Sequence, residues 1–207
     1  MVKTDAPPSA SLPATTPPNS VKVWDAFVRL FHWSLVALLS GLVVSAHLGK
    51  QEIHQFLGYS LLALLIGRLI WGITGSPHAR FRSFVTSPRE ALRYLRSIWQ
   101  GHPARYLGHN PAGGWMVLIL LTLLMATSVT GLFLQATLEF SGPLVEQMSE
   151  VSDETVHAFV LWHQMTLNLI YGLVPLHLLG VFLAERQHRE NLVLSMMTGC
   201  KPAHTER

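Results

Sequence analysis

Histidines are the residues of this sequence best placed to do chemistry, because the chain has 11 of them and only 13% charged residues. Two of them, His163 and His177, lie 14 residues apart in one long apolar stretch. At about 100° and 1.5 Å per residue, a helix places both on roughly one face, about 21 Å apart along its axis. One histidine in each half of a bilayer suits two stacked cofactors, whereas a single zinc ion needs ligands at closer spacing.

Two further histidines in other apolar stretches match these two in depth. His32 lies about two turns into the first stretch, and His54 lies at the start of the second. If successive stretches cross a membrane in alternating directions, His32 reaches the level of His177. His54 then reaches the level of His163. We name His32 and His177 the inner couple, and His54 and His163 the outer couple. His47, at the end of the first stretch, has a depth similar to that of His54 and is an alternative outer ligand.

Each couple could hold a haem iron from both sides. A single histidine in a membrane helix is explained equally well by a hydrogen bond or a small polar cavity, but two depth-matched couples are harder to obtain by chance. The one cysteine, Cys200, excludes an internal disulfide, a single-chain iron–sulfur or thiolate zinc site, and the two-cysteine attachment of a c-type haem. Any haem is therefore predicted to be bound non-covalently.

Three more polar residues lie where they could contact a cofactor. Arg68, 14 residues after His54, shares its helix face and could pair with a haem propionate, or could extend to the lipid headgroups instead. His109 and Asn110 precede the third apolar stretch and could hydrogen-bond a quinone or a propionate. The alternative for this segment is a helix-start turn, with Asn110 as the N-cap and Pro111 at the first helical position.

Four apolar stretches position these residues, at about 26–47, 53–73, 114–138 and 156–184. Each is close to or above the roughly 20 residues that a helix needs to cross a hydrocarbon core. With 49% hydrophobic residues, the chain is predicted to be an all-α membrane protein, with a four-helix transmembrane domain over 22–185. Residues 1–21 are rich in proline and predict a disordered tail, and 186–207 are predicted to be a C-terminal tail.

The placement of lysine and arginine predicts the orientation of the chain. The connection between the second and third stretches has six arginines, and both terminal flanks are basic, whereas the segment 139–154 has no basic residue and five acids. Both termini and the basic connection are therefore predicted to be cytoplasmic, and the net charge of +3 does not indicate nucleic-acid binding. Within that connection, Ser87, Pro88 and Glu90 predict a helix start. The amphipathic helix that follows either lies flat on the inner leaflet or packs on the ends of the bundle.

Several segments resemble the bacterial cytochrome b561 type of di-haem membrane cytochrome, a group that includes the cytochrome b subunits of hydrogenases and formate dehydrogenases. They cover about residues 22–201 and read VWDAFVRLFHWSLV, IHQFLGY, RLIWGITGSPHARF, YLGHNPAGG, HQMTLNLIYGLVPLH and HRENLVLSMMTG. The resemblance implies four helices, two b haems and electron exchange with quinone or quinol in a bacterial inner membrane. It implies axial ligation by His32, His54, His163 and His177, which favours His54 over His47. It also implies a redox partner such as a c-type cytochrome or a dehydrogenase subunit.

The sequence therefore predicts a membrane electron carrier that links the quinone pool to a partner redox protein in a respiratory chain. One alternative is a proton channel or transporter whose histidines relay protons without haem. Another is a stand-alone superoxide:quinone oxidoreductase, although the acidic segment 139–154 would repel an anion at that surface.

Overall fold

The computed structural model of the protein describes residues 20–203, which form six α-helices and two short β-strands. The helices are α1 (Ala26–His47), α2 (Gln51–Thr74), α3 (Pro88–Trp99), α4 (Pro111–Leu138), α5 (Asp153–His188) and α6 (Leu192–Thr198), and the strands are β1 (Ser20–Lys22) and β2 (Cys200–Pro202). The predicted disordered tail, 1–21, lies outside the described residues except for Ser20 and Val21, which belong to β1.

Four of the helices, α1, α2, α4 and α5, are long and apolar enough to cross a membrane. This confirms the predicted all-α bundle of four spans. Two helices begin three residues earlier than predicted, because polar caps extend them beyond their apolar stretches. The side chain of Asn110 accepts a hydrogen bond from Gly113 N at 2.7 Å and begins α4. The side chain of Ser152 accepts one from Thr155 N and begins α5.

The four spans pack around one apolar core. α4 packs along α5, α1 along α2, and α2 along α4. The buried side chains that these helices share are Phe31, Leu42, Leu61, Leu65, Leu121, Leu124 and Ile170. Ile170 is halfway in sequence between His163 and His177 and is only 1% exposed. An apolar layer therefore separates the level of one histidine couple from the level of the other.

Both ends of the described chain meet at one end of the bundle, which we name the terminal end. β1 pairs antiparallel with β2, and the backbone N–H groups of Val23 and Trp24 donate to the carbonyl of Gly199. Glu190, which is buried, forms ion pairs with Arg105 and with Lys201. Residues 186–203 thus fold back on the start of α1 as an ordered cap, and they make up most of the predicted C-terminal tail.

The basic connection between α2 and α4 also lies at the terminal end. It contains a short 3-10 turn at Phe81–Ser83 and then α3. Ser87 and Glu90 form the predicted capping box, with Pro88 at the first helical position. The opposite end, which we name the far end, contains the short α1–α2 turn and the segment 139–152, where Gln55 of α2 donates a hydrogen bond to Glu139.

Candidate functional site

The outer histidine of α2 is held by α1. The Nδ1 atom of His54 is 3.1 Å from the carbonyl oxygen of Leu42 and 3.3 Å from the hydroxyl oxygen of Ser45. The Ser45 hydroxyl itself donates to the Leu42 carbonyl at 3.0 Å. A proton on Nδ1 of His54 satisfies these acceptors, which leaves Nε2 unprotonated and able to bind a metal.

The outer histidine of α5 is held by α4 in a similar way. The Nδ1 atom of His163 is 3.1 Å from Thr130 Oγ1, and the Thr130 hydroxyl donates to the carbonyl of Ala126 at 2.9 Å. Thr130 Oγ1 is therefore left to accept the Nδ1 proton of His163, and Nε2 is again the available nitrogen. A Cβ atom at Gly131 would lie 3.4 Å from His163 Cε1, so the absence of a side chain there permits this close approach.

Sequence reasoning missed the residues that hold the outer histidines. Thr130 and Ser45 are hydroxyl residues inside apolar helices, and hydroxyl side chains are common there because they can bond to their own backbone. The pair Thr130-Gly131, a hydroxyl followed by the smallest residue in a long apolar helix, is the signal that could have pointed to a contact with another helix.

The inner couple lacks such partners. The Nδ1 atom of His32 is buried and has no hydrogen-bond partner among residues 20–203. The ring of His32 packs edge-on against Trp33, with 5.3 Å between ring centroids. His177 on α5 is half-buried, and within the described chain neither of its ring nitrogens makes a hydrogen bond.

The members of each predicted couple lie within electrostatic range of each other. His32 lies close enough to His177 to interact with it electrostatically, and His54 lies similarly close to His163. The helices that carry each couple, α1 with α5 and α2 with α5, do not pack directly along each other as α4 and α5 do.

Arg68 lies at the inner level and is buried, with only 3% of its surface exposed. Its Nη2 donates to the carbonyl of Ala79 at 3.1 Å, and its Nη1 is buried without a partner in the described residues. The guanidinium carbon lies 4.9 Å from the ring centroid of Phe81 and 5.9 Å from that of Phe31. Arg68 is thus enclosed by the connection after α2 rather than extended to the headgroups, and one of its donors remains available.

His109 and Asn110 differ in what remains available to a ligand. The ring of His109 packs between Trp24 and Phe84, with centroid distances of 4.8 and 4.5 Å, and its Nδ1 is buried without a partner in residues 20–203. Burial, followed by the nearby cations Arg68 and Lys201, lowers the pKa of His109 to about 3. His109 is therefore neutral at physiological pH. Asn110 is the N-cap of α4, as the turn interpretation predicted, and its side-chain oxygen is already engaged.

His47, the alternative outer ligand, lies at the surface of the chain, and so does His157. His47 is exposed, and its Nδ1 bonds to the carbonyl of Val43 in its own helix at 2.8 Å. His157 is exposed in the first turns of α5. Among the described residues there is no cluster of three or more His, Cys, Asp or Glu side chains that could chelate a bare metal ion.

Comparison with known proteins identifies the family to which this arrangement belongs. The family described as prokaryotic cytochrome b561 matches residues 23–199, which is nearly the whole described chain. The protein belongs to this family.

The chain is also similar to proteins named probable Ni/Fe-hydrogenase B-type cytochrome subunit from three bacteria. Identity is 25% to that of Azotobacter chroococcum mcd 1, over 91% of both chains. It is 25% to that of Azotobacter vinelandii, also over 91% of both, and 26% to that of Rhizobium leguminosarum bv. viciae, over 87% of this chain and 88% of the relative.

Membership in a b-type cytochrome family implies haem b, and the described residues fit that group. Both outer histidines have Nδ1 engaged by protein acceptors, which leaves Nε2 for an iron. At the inner level the buried Nη1 of Arg68 is a donor without a partner in the described part of the chain, as a propionate would require. Cys200 is the one cysteine of the chain, so attachment of haem through two thioethers is excluded.

Proposed function

We propose that this cytochrome b561 carries electrons across the bacterial inner membrane between the quinone pool and a partner redox protein, through two haem b groups. One group is held by His32 and His177, and the other by His54 and His163. The observation that supports the proposal is the spacing of His163 and His177 along α5, with buried apolar side chains such as Leu65 and Ile170 between their levels and with His54 and His32 in electrostatic range of one each.

Iron held between two neutral imidazoles exchanges single electrons and has no open position for oxygen. The protein's own residues fix the ligands and their protonation. Leu42 and Ser45 accept the Nδ1 proton of His54, and Thr130 accepts that of His163. These bonds orient the rings and raise the basicity of Nε2. The haem-free proton channel is disfavoured, because the chain belongs to a cytochrome family.

The inner level is the proposed place for contacts with haem propionates and with quinone. Arg68 Nη1 would donate to a propionate of the inner haem in a charge-assisted hydrogen bond. His109, neutral and with a buried unpartnered Nδ1, would hydrogen-bond a quinone oxygen or a second propionate. Asn110 contributes by beginning α4 next to His109, since its own acceptor oxygen is occupied by Gly113 N.

The similar proteins carry a name that identifies them as subunits of Ni/Fe hydrogenases, and we propose a hydrogenase as the electron donor to this chain too. The terminal end carries the arginine-rich connection and both basic flanks. We assign it to the cytoplasm by the preference of basic loops for that side, so that the acidic segment 139–154 faces the opposite side, where a partner would dock.

Haem content per chain tests the two-haem arrangement. The purified protein is expected to contain about two b haems by reduced-minus-oxidised absorbance and extraction. Alanine at His163 or at His177 is expected to remove about one haem each, since each couple loses a ligand. The matched pair His54→Ala and His47→Ala separates the outer ligands: the first is expected to lose about one haem and the second none. Unchanged haem content in His54→Ala and His163→Ala would overturn the assignment.

Reduction by hydrogen tests the partner. In membranes that contain a Ni/Fe hydrogenase, addition of hydrogen is expected to reduce the b haems, and a quinone analogue is expected to reoxidise them. In membranes without the hydrogenase, hydrogen should leave the haems oxidised while dithionite still reduces them. Haems that remain oxidised under hydrogen with an active hydrogenase present would reject this donor but leave the two-haem arrangement intact.

A further inference from the structure

The helix α3 has three distinct faces, although it is only 12 residues long. Ala91 and Tyr94 are buried, and they define the face that packs on the bundle. Leu92, Leu95 and Trp99 form an apolar ridge that is exposed, with Trp99 92% exposed. Arg89, Arg93 and Arg96 form a basic flank. At about 100° per residue, the ridge lies about 100° from the bundle face, and the flank lies about 100° beyond the ridge.

The bundle face fixes α3 against two membrane spans. α3 packs on α4, and Gln187 near the end of α5 lies 3.5 Å from the carbonyl of Ile98. The ring of Tyr94 meets that of Tyr106 edge-on at 5.7 Å. Because α3 is held on this side, the ridge cannot turn inward. Within residues 20–203 nothing covers Trp99 or Leu92.

The depth of α3 is that of the membrane surface at the terminal end. Thr86, just before α3, accepts a hydrogen bond at 3.1 Å from the indole N–H of Trp115. Trp115 is in the second turn of α4, at the start of that membrane span. A helix at this depth, with an apolar ridge beside three arginines, has the composition of helices that lie in the plane of a bilayer interface. Tryptophan is itself enriched at that level.

We infer that α3 is an interfacial helix, whose ridge of Leu92, Leu95 and Trp99 enters the headgroup–acyl boundary of the leaflet around the terminal end, with Arg89, Arg93 and Arg96 at anionic lipid phosphates. The charge of the helix supports lipid as the occupant, because three arginines stand against one glutamate and anionic headgroups attract such segments. The ridge lies next to the face that packs on α4, so it continues the apolar surface of a helix that is long and apolar enough to span a membrane.

Spin labels at two adjacent positions test the location of the ridge. In a Cys200→Ser background, Leu92→Cys places a label on the ridge and Arg93→Cys places a matched label on the flank. Holoprotein in lipid nanodiscs is expected to give an oxygen-to-nickel-complex accessibility ratio several-fold higher at position 92 than at 93. Equal, water-like ratios at both positions would overturn the inference. A label at 92 that is shielded from both reagents would also overturn it, because the ridge would then be covered by protein, such as a second copy.

The lipid charge tests the role of the arginines. With anionic lipid in the nanodisc, the ratio at position 92 is expected to rise relative to a purely zwitterionic disc. Changing the flank together, with Arg89→Gln, Arg93→Gln and Arg96→Gln, is expected to abolish that rise. An unchanged haem spectrum in this variant would show that the bundle is intact. A ratio that is independent of lipid charge in the unmodified flank would exclude the recognition of anionic phosphates.

Discussion

The two predicted histidine couples share only helix α5, and within residues 20–203 the protein supplies hydrogen-bond partners to the histidines of only one of them. At the outer level, His54 and His163 each have Nδ1 engaged by a neighbouring helix, through the Leu42 carbonyl and the Thr130 hydroxyl. At the inner level, Nδ1 of His32 is buried without a partner in the described chain. The fold therefore fixes the ring tautomers of His54 and His163, but it does not fix that of His32.

Besides His32, two other residues at the inner level have buried polar atoms without partners among the residues that the structure describes. Arg68 Nη1 and His109 Nδ1 are also buried there without partners in residues 20–203. A buried polar group without a hydrogen bond costs about 1–3 kcal/mol, so several at one level indicate that an external group satisfies them. The polypeptide therefore supplies hydrogen-bond partners to the outer histidines, whereas within residues 20–203 it supplies none to these inner atoms.

The largest effect is expected at Arg68, because it is a buried charge with an available donor. Arg68→Met is expected to lower haem content from about two to about one per chain, with the loss at the inner couple, since a propionate loses its charge-assisted partner. The haem that remains in the outer couple reports that the bundle still folds. Arg80→Met is the control, because Arg80 donates to the Gly75 carbonyl in the same connection, and it should retain both haems. If Arg68→Met retained two haems per chain, the proposed contact between Arg68 and the inner haem would be wrong.

The next effect is expected at Thr130, which holds the outer ligand of α5. Thr130→Val preserves shape but removes the hydroxyl acceptor 3.1 Å from His163 Nδ1, and it is expected to weaken outer haem binding by about 10–100-fold. The midpoint potential of that haem should rise, because a less basic imidazole stabilises ferric iron less. Both quantities are measured by haem titration and by redox titration followed in absorbance.

Thr127→Val is the matched control for Thr130. Thr127 lies on the same helix, and its hydroxyl is 2.8 Å from Thr166 Oγ1. The structure gives it no side-chain hydrogen bond to an outer histidine ring. It should leave the outer haem affinity and potential close to those of the unmodified protein. Equal changes in the two variants would mean that any lost hydroxyl in α4 perturbs the site, and the specific contact to His163 would then be irrelevant.

A smaller effect concerns acid stability at the inner level. The pKa of His109 is about 3 in the folded protein and about 6.5 in the unfolded chain. Between these two pH values the unfolded chain binds a proton at His109, whereas the folded protein does not. Stability is therefore lost as pH falls below 6.5, by about 2 kcal/mol at pH 5. His109→Phe keeps an aromatic ring against Trp24 and Phe84 and should remove that part of the loss.

The measurement for His109 is the free energy of unfolding in mixed micelles at pH 7.5 and at pH 5. The pH-dependent difference should be about 2 kcal/mol smaller in His109→Phe than in the unmodified protein. His102→Phe, at an exposed position of the same connection, controls for the loss of a histidine. An identical pH dependence in the unmodified protein and His109→Phe would mean that the His109 ring is hydrated in the folded protein.

The four spans were predictable from the sequence because lipid leaves few alternatives for a long apolar stretch. The apolar stretches placed the starts of α4 and α5 three residues too far along the chain, since hydropathy does not register the polar caps Asn110 and Ser152. The turn interpretation of the segment before α4 did predict Asn110 as the N-cap. The predicted levels of the four histidines rest on their spacing and on the alternating direction of the spans, and they remain a prediction. The ordered cap of β1, β2 and Glu190 was not predicted, because its pairing joins residues about 180 positions apart and no local pattern encodes it.

The contacts around the histidines were less predictable, for a physical reason. The acceptor for His54 is the carbonyl of Leu42, and a backbone carbonyl has no signature in the residue type. Arg68 showed as an unusual residue, but only the fold reveals that the connection after α2 encloses it rather than exposing it to headgroups. The sequence thus identified Arg68 and the histidines as unusual residues, but their contacts depend on how the helices and the connection after α2 pack.

The smallest effect is expected at Ser45, and it tests whether the outer couple depends on a hydroxyl or on the backbone. In Ser45→Ala, His54 Nδ1 still has the Leu42 carbonyl at 3.1 Å. The loss is therefore one secondary hydrogen bond, of about 1 kcal/mol or less, which corresponds to a few-fold weaker haem binding. Haem titration should place Ser45→Ala between the Thr127→Val control and Thr130→Val. A loss in Ser45→Ala as large as in Thr130→Val would mean that the serine hydroxyl is the main acceptor for His54, and that both outer ligands rely on side-chain hydroxyls.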